Sequence, residues 1–408
     1  MLNIGKSKLY IFMTSSISRV GGAEIYVSSK TRWLERGGWT VLIAAPLSDD
    51  CPVSYGNAIL VDFRYYSLRP ACLPKTLRYK AIGPLIDAAQ GYSEVAIESS
   101  TITCGMWGEV VSRQINSRHL IFHLGETVPP LSYGDRVFLR HKNDAGELAF
   151  ISAEVGKIAL RGVDGEYPQC SILVAYQGEV IQQVPYEGLS RFEDGIRIGC
   201  VSRLDKSYIP LVADGVARLA ERRKETRFQL VFIGDAPDPS IKKCLEAKSS
   251  DNLSIIVRGP MYPLPRALVE SFDVFVAKAG SAIALRRQGF PTIQFALEKD
   301  ICIGIAGIDF SNSACAAARD LTVVLSNYLF GERYRSCDPG YGLSPVKSVD
   351  YSDHLAYIFQ SKTSCSFDQV SSGEESFRER IKGVLASILG LDRYVAMRSR
   401  LKLKLRKG

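Results

Sequence analysis

"SRVGGAEIYVSSKTRWLERGG", residues 18–38, follows the short apolar run "LYIFMTSS" at 9–16. The chain leaves a strand, places Gly21 and Gly22 side by side, and starts an amphipathic helix with Glu24 in its first turn. A glycine pair permits close backbone approach and unusual φ/ψ. A helix start just after it offers free N–H groups and the positive end of the helix dipole, which suits a phosphate. The same residues also serve a plain strand-to-helix turn, and by themselves they do not separate the two readings.

The rhythm of the chain extends this pattern. The runs "KLYIFMT", "WTVLIAAP", "NAILVDF", "SEVAIES", "RHLIFHL", "LAFIS" and "SILVAYQ" read as strands, with helical stretches between several of them, notably 23–36 and 154–161. From "EDGIRIGCVSRLD" (193–205) the rhythm restarts. "IRIGCVS", "FQLVFIGD", "LSIIVRG", "DVFVAK" and "PTIQF" are separated by helical segments near 208–223, 239–248, 263–271 and 281–288. Continuously apolar strands alternating with helices imply parallel sheets covered on both faces. The expected fold class is α/β, two doubly wound Rossmann-like domains facing across a cleft, with ligands beyond the strands' C-terminal ends. The expected boundaries are 1–190, 191–372, and a helix with a basic tail at 373–408. Residues 331–372 are turn-rich and read as a long loop excursion, between helices near 312–329 and 374–389.

A chain of 408 residues exceeds one ordinary core, and 46% hydrophobic with 23% charged residues is globular composition. The net charge is +8, but Arg393–Gly408 alone carries seven Lys or Arg and no acid, so all but one of those charges lie there. A near-neutral body argues against nucleic-acid binding. With its interleaved Leu, Val and Met, the tail suits an anionic membrane surface; a solvated, disordered terminus is the other reading. The ten cysteines form no C-x-x-C pair and several fall in apolar runs, as Cys200 does. They read as buried thiols of a reducing compartment. The early "KLYIFM" is too short for a signal peptide, so the expected location is cytoplasmic, peripheral to the inner face of the membrane.

Three further stretches suit anions. In "CVSRLDKS", Arg203 and Lys206 follow a strand and precede a helix, so they suit a diphosphate or, equally, an ordinary helix start. In "FIGDAPDP", Gly234 and Asp235 make a tight turn at the sheet edge, with Gly234 leaving room for a flat ligand. In "DVFVAKAGSAIALRRQGFPTIQF", Lys278 precedes Gly280 and Ser281 at another helix start. No Walker loop, G-x-G-x-x-G or Asp-x-Asp occurs.

In order and spacing, "GGAEIYVSSKTRWLERGGWTVLIAAP", "IGCVSRLDKS", "LVFIGDAPD", "NLSIIVRG" and "ESFDVFVAKAGSAIALRRQGFPTI" resemble the family 4 nucleotide-sugar glycosyltransferases, which have the GT-B fold. The resemblance covers about 8–45 and 148–296. It implies transfer of a sugar from a UDP- or GDP-linked donor to a saccharide or lipid-linked acceptor, in surface polysaccharide or glycolipid synthesis. No cofactor and no essential metal are implied. Arg203 matches the family's phosphate-binding arginine, Gly22 the glycine of the loop facing the diphosphate, and His123 the histidine that lines the donor sugar; His123 also reads as a strand-end histidine. If configuration is inverted, His123 or Glu126 is the nearest base; retention is the expectation, the leaving phosphate taking the acceptor's proton.

Departures from the family are specific. Tyr208 stands where a lysine is usual, so Lys206 would have to substitute. Ala284 stands at the second place of a glutamate pair, and no acid occurs between Asp273 and Glu298. "AKAGSAIALRRQG" is closer to the turn of the peptidoglycan-precursor GlcNAc transferases. Two other readings follow: an inactive GT-B subunit that binds or regulates a partner transferase, and a sugar-nucleotide 2-epimerase, which needs carboxylates and histidines in the cleft.

Overall fold

The computed structural model describes residues 7–47, 53–125, 128, 131–161, 169–175, 180–189, 192, 194–236, 238–296, 299–311, 316–331, 349–360 and 377–405. They form two compact units, one drawn from 1–18, 23–176 and 349–408, the other from 19–22 and 177–348.

The first unit is built on β1 (Lys8–Met13), β2 (Trp39–Ala45), β3 (Ile59–Asp62), β4 (Glu94–Ser99), β5 (Arg118–His123), β6 (Leu148–Phe150) and β7 (Ser171–Ile172). These are the seven expected strands. They lie in the order β3-β2-β1-β4-β5-β6-β7, every neighbouring pair parallel. Leu9 through Met13 are buried on both faces, which is why β1 reads as an unbroken apolar run. Helices α1 (Gly22–Arg36), α2 (Lys75–Ala89), α3 (Ile102–Ile115), α4 (Tyr133–Asp144) and α5 (Ala153–Leu160) connect them. Glu24 and Arg36 complement the two ends of the α1 dipole, and Gly38, at φ 79°, turns the chain into β2. Gly108 lets α3 lie against the sheet: a Cβ there would meet both Ser99 Oγ and His119 Nε2 at 2.4 Å.

The second unit has β9 (Gly195–Val201), β10 (Arg227–Ile233), β11 (Leu253–Arg258), β13 (Val274–Lys278), β14 (Thr292–Phe295) and β15 (Cys302–Ile305), in the order β11-β10-β9-β13-β14-β15. All are parallel except β15, an antiparallel edge strand that the sequence reading did not include. Two-residue strands β8 (Ile181–Gln182) and β12 (Leu264–Pro265) form a separate pair. The helices are α6 (Ile209–Arg222), α7 (Pro239–Glu246), α8 (Arg266–Val269), α9 (Ala279–Arg287) and α10 (Leu321–Phe330). The segment at 263–271 is therefore mostly not helix: β12 takes its start, with Pro265 outside the helix, and one turn remains. Likewise, the helix expected near 312–329 begins only at Leu321, where Asp320 caps it by accepting from Val323 N–H.

The chain then returns to the first unit, adding α11 (Ser352–Gln360), α12 (Phe377–Leu389) and α13 (Leu391–Leu405). Part of the expected loop excursion is thus helix: α11 is anchored by Tyr357, whose hydroxyl donates to Leu148 O at 2.9 Å, and by the buried His354. Most of the expected basic tail is α13, whose Leu391 and Tyr394 enter the core around Trp107 and Phe63. The start of this segment is therefore a packed helix, since Leu391, Tyr394 and the partly buried Val395 lie on one helical face.

Candidate functional site

In a doubly wound sheet the ligand position is the C-terminal edge where strand order reverses. In the second unit that point lies between β9 and β13, and the segments after them carry Arg203, Lys206 and Lys278. Backbone hydrogen bonds lace the edge together: Ser202 N–H donates to Ile233 O at 3.1 Å and Leu204 N–H to Asp235 O at 2.8 Å. A Cβ at Gly234 would lie 1.7 Å from Ser202 O, so the missing side chain makes room for this backbone approach, where the sequence reading gave the space to a ligand.

The charged groups here are half-buried. Arg203 places Nε 3.4 Å from Asp205 Oδ1, and Asp235 lies 3.9 Å from Arg19 Nε. Lys278 Nζ is 3.1 Å from Asp300 Oδ1 and 5.7 Å from the centre of the buried Tyr208 ring, which packs on Phe295. A hydrogen bond with Ser207 holds the Asp300 carboxyl below its ordinary range; burial opposes this, and Lys278 and Lys206 add to it. Nothing in the sequence pattern points to Asp300. Asp300 lies in the segment after β14, and only the fold returns it to the edge beside Lys278.

Helix α9 starts in the same place. Its cap residue Lys278 makes no side-chain capping bond, and Ala279, at φ 54°, takes a left-handed conformation rare for a residue with a Cβ. Gly280 and Ser281 form the first turn and are partly exposed. Three cations, a strained turn and a helix N-terminus form a setting for a bound phosphate.

Gly22 opens α1 directly after Gly21, and 19–22 group with the second unit. His123, the last residue of β5, is buried against Phe150. Glu126 lies outside the described residues.

Two buried charge networks in the first unit were not expected. Glu98 on β4 accepts from Lys30 at 2.5 Å, Tyr10 at 2.6 Å and Tyr26 at 2.9 Å. His354 of α11 closes this network, with Nε2 3.1 Å from Val174 O and Nδ1 3.3 Å from Lys30 Nζ. A carbonyl only accepts, so Nε2 carries the proton and Nδ1 accepts from Lys30. Burial raises the Glu98 carboxyl, yet the charge of Lys30 and the hydrogen bonds outweigh it and leave it low. Elsewhere Lys142 bridges Glu109 and Glu147 beside His119. Glu109, His119 and Glu147 present ligand atoms within 4.8 Å of one another, but the Lys142 ammonium already supplies the cation between the two carboxylates. Both networks are closed by residues far apart in sequence, Lys30 with Glu98 and Lys142 with Glu109, which no local spacing signals.

No protein-family model matches the sequence, and neither does any curated protein sequence. Solved structures do match. A glycosyltransferase from Rickettsia africae superposes with a TM-score of 0.58 over 95% of this chain and 99% of its own, at 11% identity. The Anabaena protein HepE, in complex with UDP and glucose, gives 0.55 over 93% and 100%, at 11% identity. Sucrose-phosphate synthase from Thermosynechococcus elongatus gives 0.53 over 82% and 92%, at 13% identity. At such identities the likeness speaks to architecture, and both strand orders agree with it: the chain has the GT-B fold, two doubly wound Rossmann-like units.

Proposed function

We propose that this protein is a nucleotide-sugar glycosyltransferase that holds its donor at the edge of the second sheet. The observation that carries the reading is the convergence of Arg203, Lys206 and Lys278 on the crossover point, beside the uncapped start of α9. Cations and backbone N–H groups held there suit the charge that develops on a departing diphosphate, without a divalent metal. In the step proposed, the bond from the sugar's anomeric carbon to the diphosphate oxygen breaks. The acceptor hydroxyl oxygen bonds that carbon, and its proton passes to the departing phosphate, with retention of configuration. The acceptor would be a saccharide or a lipid-linked sugar in surface polysaccharide or glycolipid synthesis on the cytoplasmic side. The Anabaena protein HepE is in complex with UDP and glucose, which favours UDP as the nucleotide here.

Asp300 gives the site an acid despite Ala284. With Lys278 drawn to the diphosphate, its carboxylate is released to accept from a sugar hydroxyl. The same pair also favours a second reading, a GT-B subunit that binds without turnover, because Asp300 is tied to Lys278 and Ser207 and the family's glutamate place is Ala284.

The test is isothermal titration in EDTA with UDP, GDP, UDP-glucose and GDP-mannose, followed by turnover assays. The transferase reading expects one nucleotide class to bind, Arg203→Ala to weaken it at least tenfold, and the sugar nucleotide to be consumed when acceptor is supplied. Binding without consumption supports the second reading. No binding by any nucleotide overturns the transferase reading and favours an inactive subunit that acts on a partner transferase.

A further inference from the structure

Helix α12 turns its large apolar side chains away from its own core. Its inward side is small: Ala386 is fully buried, and a Cβ on Gly383 would lie 2.0 Å from the backbone oxygen of Cys72. Its outward side carries Ile381, Val384, Leu385, Ile388 and Leu389, at i, i+3, i+4, i+7 and i+8, with Ile388 73% and Val384 57% exposed. That spacing makes one continuous stripe, the kind of face that a helix ordinarily buries.

Helix α13 continues the surface. Leu391 and Tyr394 point into the core and Arg398 donates to Ser67 O at 2.7 Å, while Arg393, Met397, Arg400 and Leu401 line a shallow concavity on the outer side. Residues 377–408 hold ten Lys or Arg against two acids, a net charge of +8 equal to that of the whole chain. No helix among the described residues is long and apolar enough to cross a membrane.

We infer that α12 and α13 together form a peripheral docking surface for an anionic phospholipid bilayer. The α12 stripe enters the interface, and the arginines of α13 meet lipid phosphates. An apolar face flanked by concentrated positive charge is the pattern of an interfacial helix. A second copy is the weaker occupant, because a two-fold contact through this face would bring two such basic regions together. The inference stands whether or not the chain transfers a sugar.

The experiment is vesicle co-sedimentation of the full chain with phosphatidylcholine alone or mixed with phosphatidylglycerol, at low and high salt. The wild type is expected to bind the anionic vesicles only, and less at high salt. Arg393→Gln and Arg400→Gln are expected to weaken binding about fivefold each, and Val384→Ser and Ile388→Ser about tenfold each. All four side chains are exposed, and circular dichroism with a thermal melt checks that each variant folds. Failure of the wild type to bind anionic vesicles overturns the inference, and so does binding that the two serine variants leave unchanged. Self-association relieved by Ile388→Ser, with no vesicle binding, assigns the face to a second copy and also overturns it.

Discussion

The protein contains two lysine–carboxylate pairs whose surroundings are opposites. Lys30 and Glu98 are shut inside the first unit, ringed by Tyr10, Tyr26, Tyr351 and His354, with 0% and 2% of their side chains exposed. Lys278 and Asp300 lie on the sheet edge of the second unit, 17% and 33% exposed. The first pair has its hydrogen-bonding capacity taken up by neighbours, so removing either member strands the other in a low dielectric. The second pair is partly solvated and beside a helix start with free N–H groups, so its members can exchange partners when an anion arrives. Burial makes one pair structural and leaves the other available to a ligand.

The comparison is broken most severely by Glu98→Ala, which leaves the Lys30 ammonium without its counter-charge. Equilibrium denaturation followed by tryptophan fluorescence is expected to show a loss of about 3–5 kcal/mol in the first unit. A loss below about 1 kcal/mol would mean that water reaches this network.

Acid should act on the first unit next. Burial first, and then the charge of Lys30 for His354 and of Lys142 for His119, hold both imidazoles down to about 4. Unfolded histidine titrates near 6.5, so the unfolded chain binds protons that the folded unit refuses. Stability present above pH 6.5 is therefore lost as pH falls toward 4, by roughly 3 kcal/mol for each histidine. Denaturation midpoints between pH 7 and 4 check this, and His354→Gln should flatten part of the slope.

In the second unit the large effect should be on binding. Lys278→Met is expected to weaken nucleotide affinity at least tenfold by titration calorimetry, while changing stability by no more than about 0.5 kcal/mol. An equal loss of stability would make the edge pair structural too. The smallest and most discriminating change is Asp300→Asn. If Asp300 only neutralises Lys278, UDP should bind a few fold more tightly; if it also accepts from the sugar, UDP-glucose should gain less than UDP or weaken.

Much of the architecture is legible before any coordinates. The strands of both sheets except β15 and the short pair β8 and β12 appear as apolar runs, because a strand buried on both faces leaves an unbroken hydrophobic signature. Arg203, Lys206 and Lys278 were findable for a related reason: residues just past such strands gather at one edge whatever the details of packing. Asp300 was not, since its place depends on the turn after β14 and on the antiparallel return of β15. Nor was α11, which lies inside a turn-rich stretch and is held by Tyr357 and His354 on backbone carbonyls more than 170 residues earlier.

The sequence by itself determined the two-sheet plan, the helix starts beside glycine and lysine, and the concentration of charge in the last residues. These are local properties, set by hydrophobic period, backbone freedom and composition. Tertiary structure alone decided which lysine is entombed and which is open, where Asp300 lands, and that α12 shows its apolar stripe to the outside. A side chain's partners and its exposure to water depend on residues distant in the chain, and only folding brings those together.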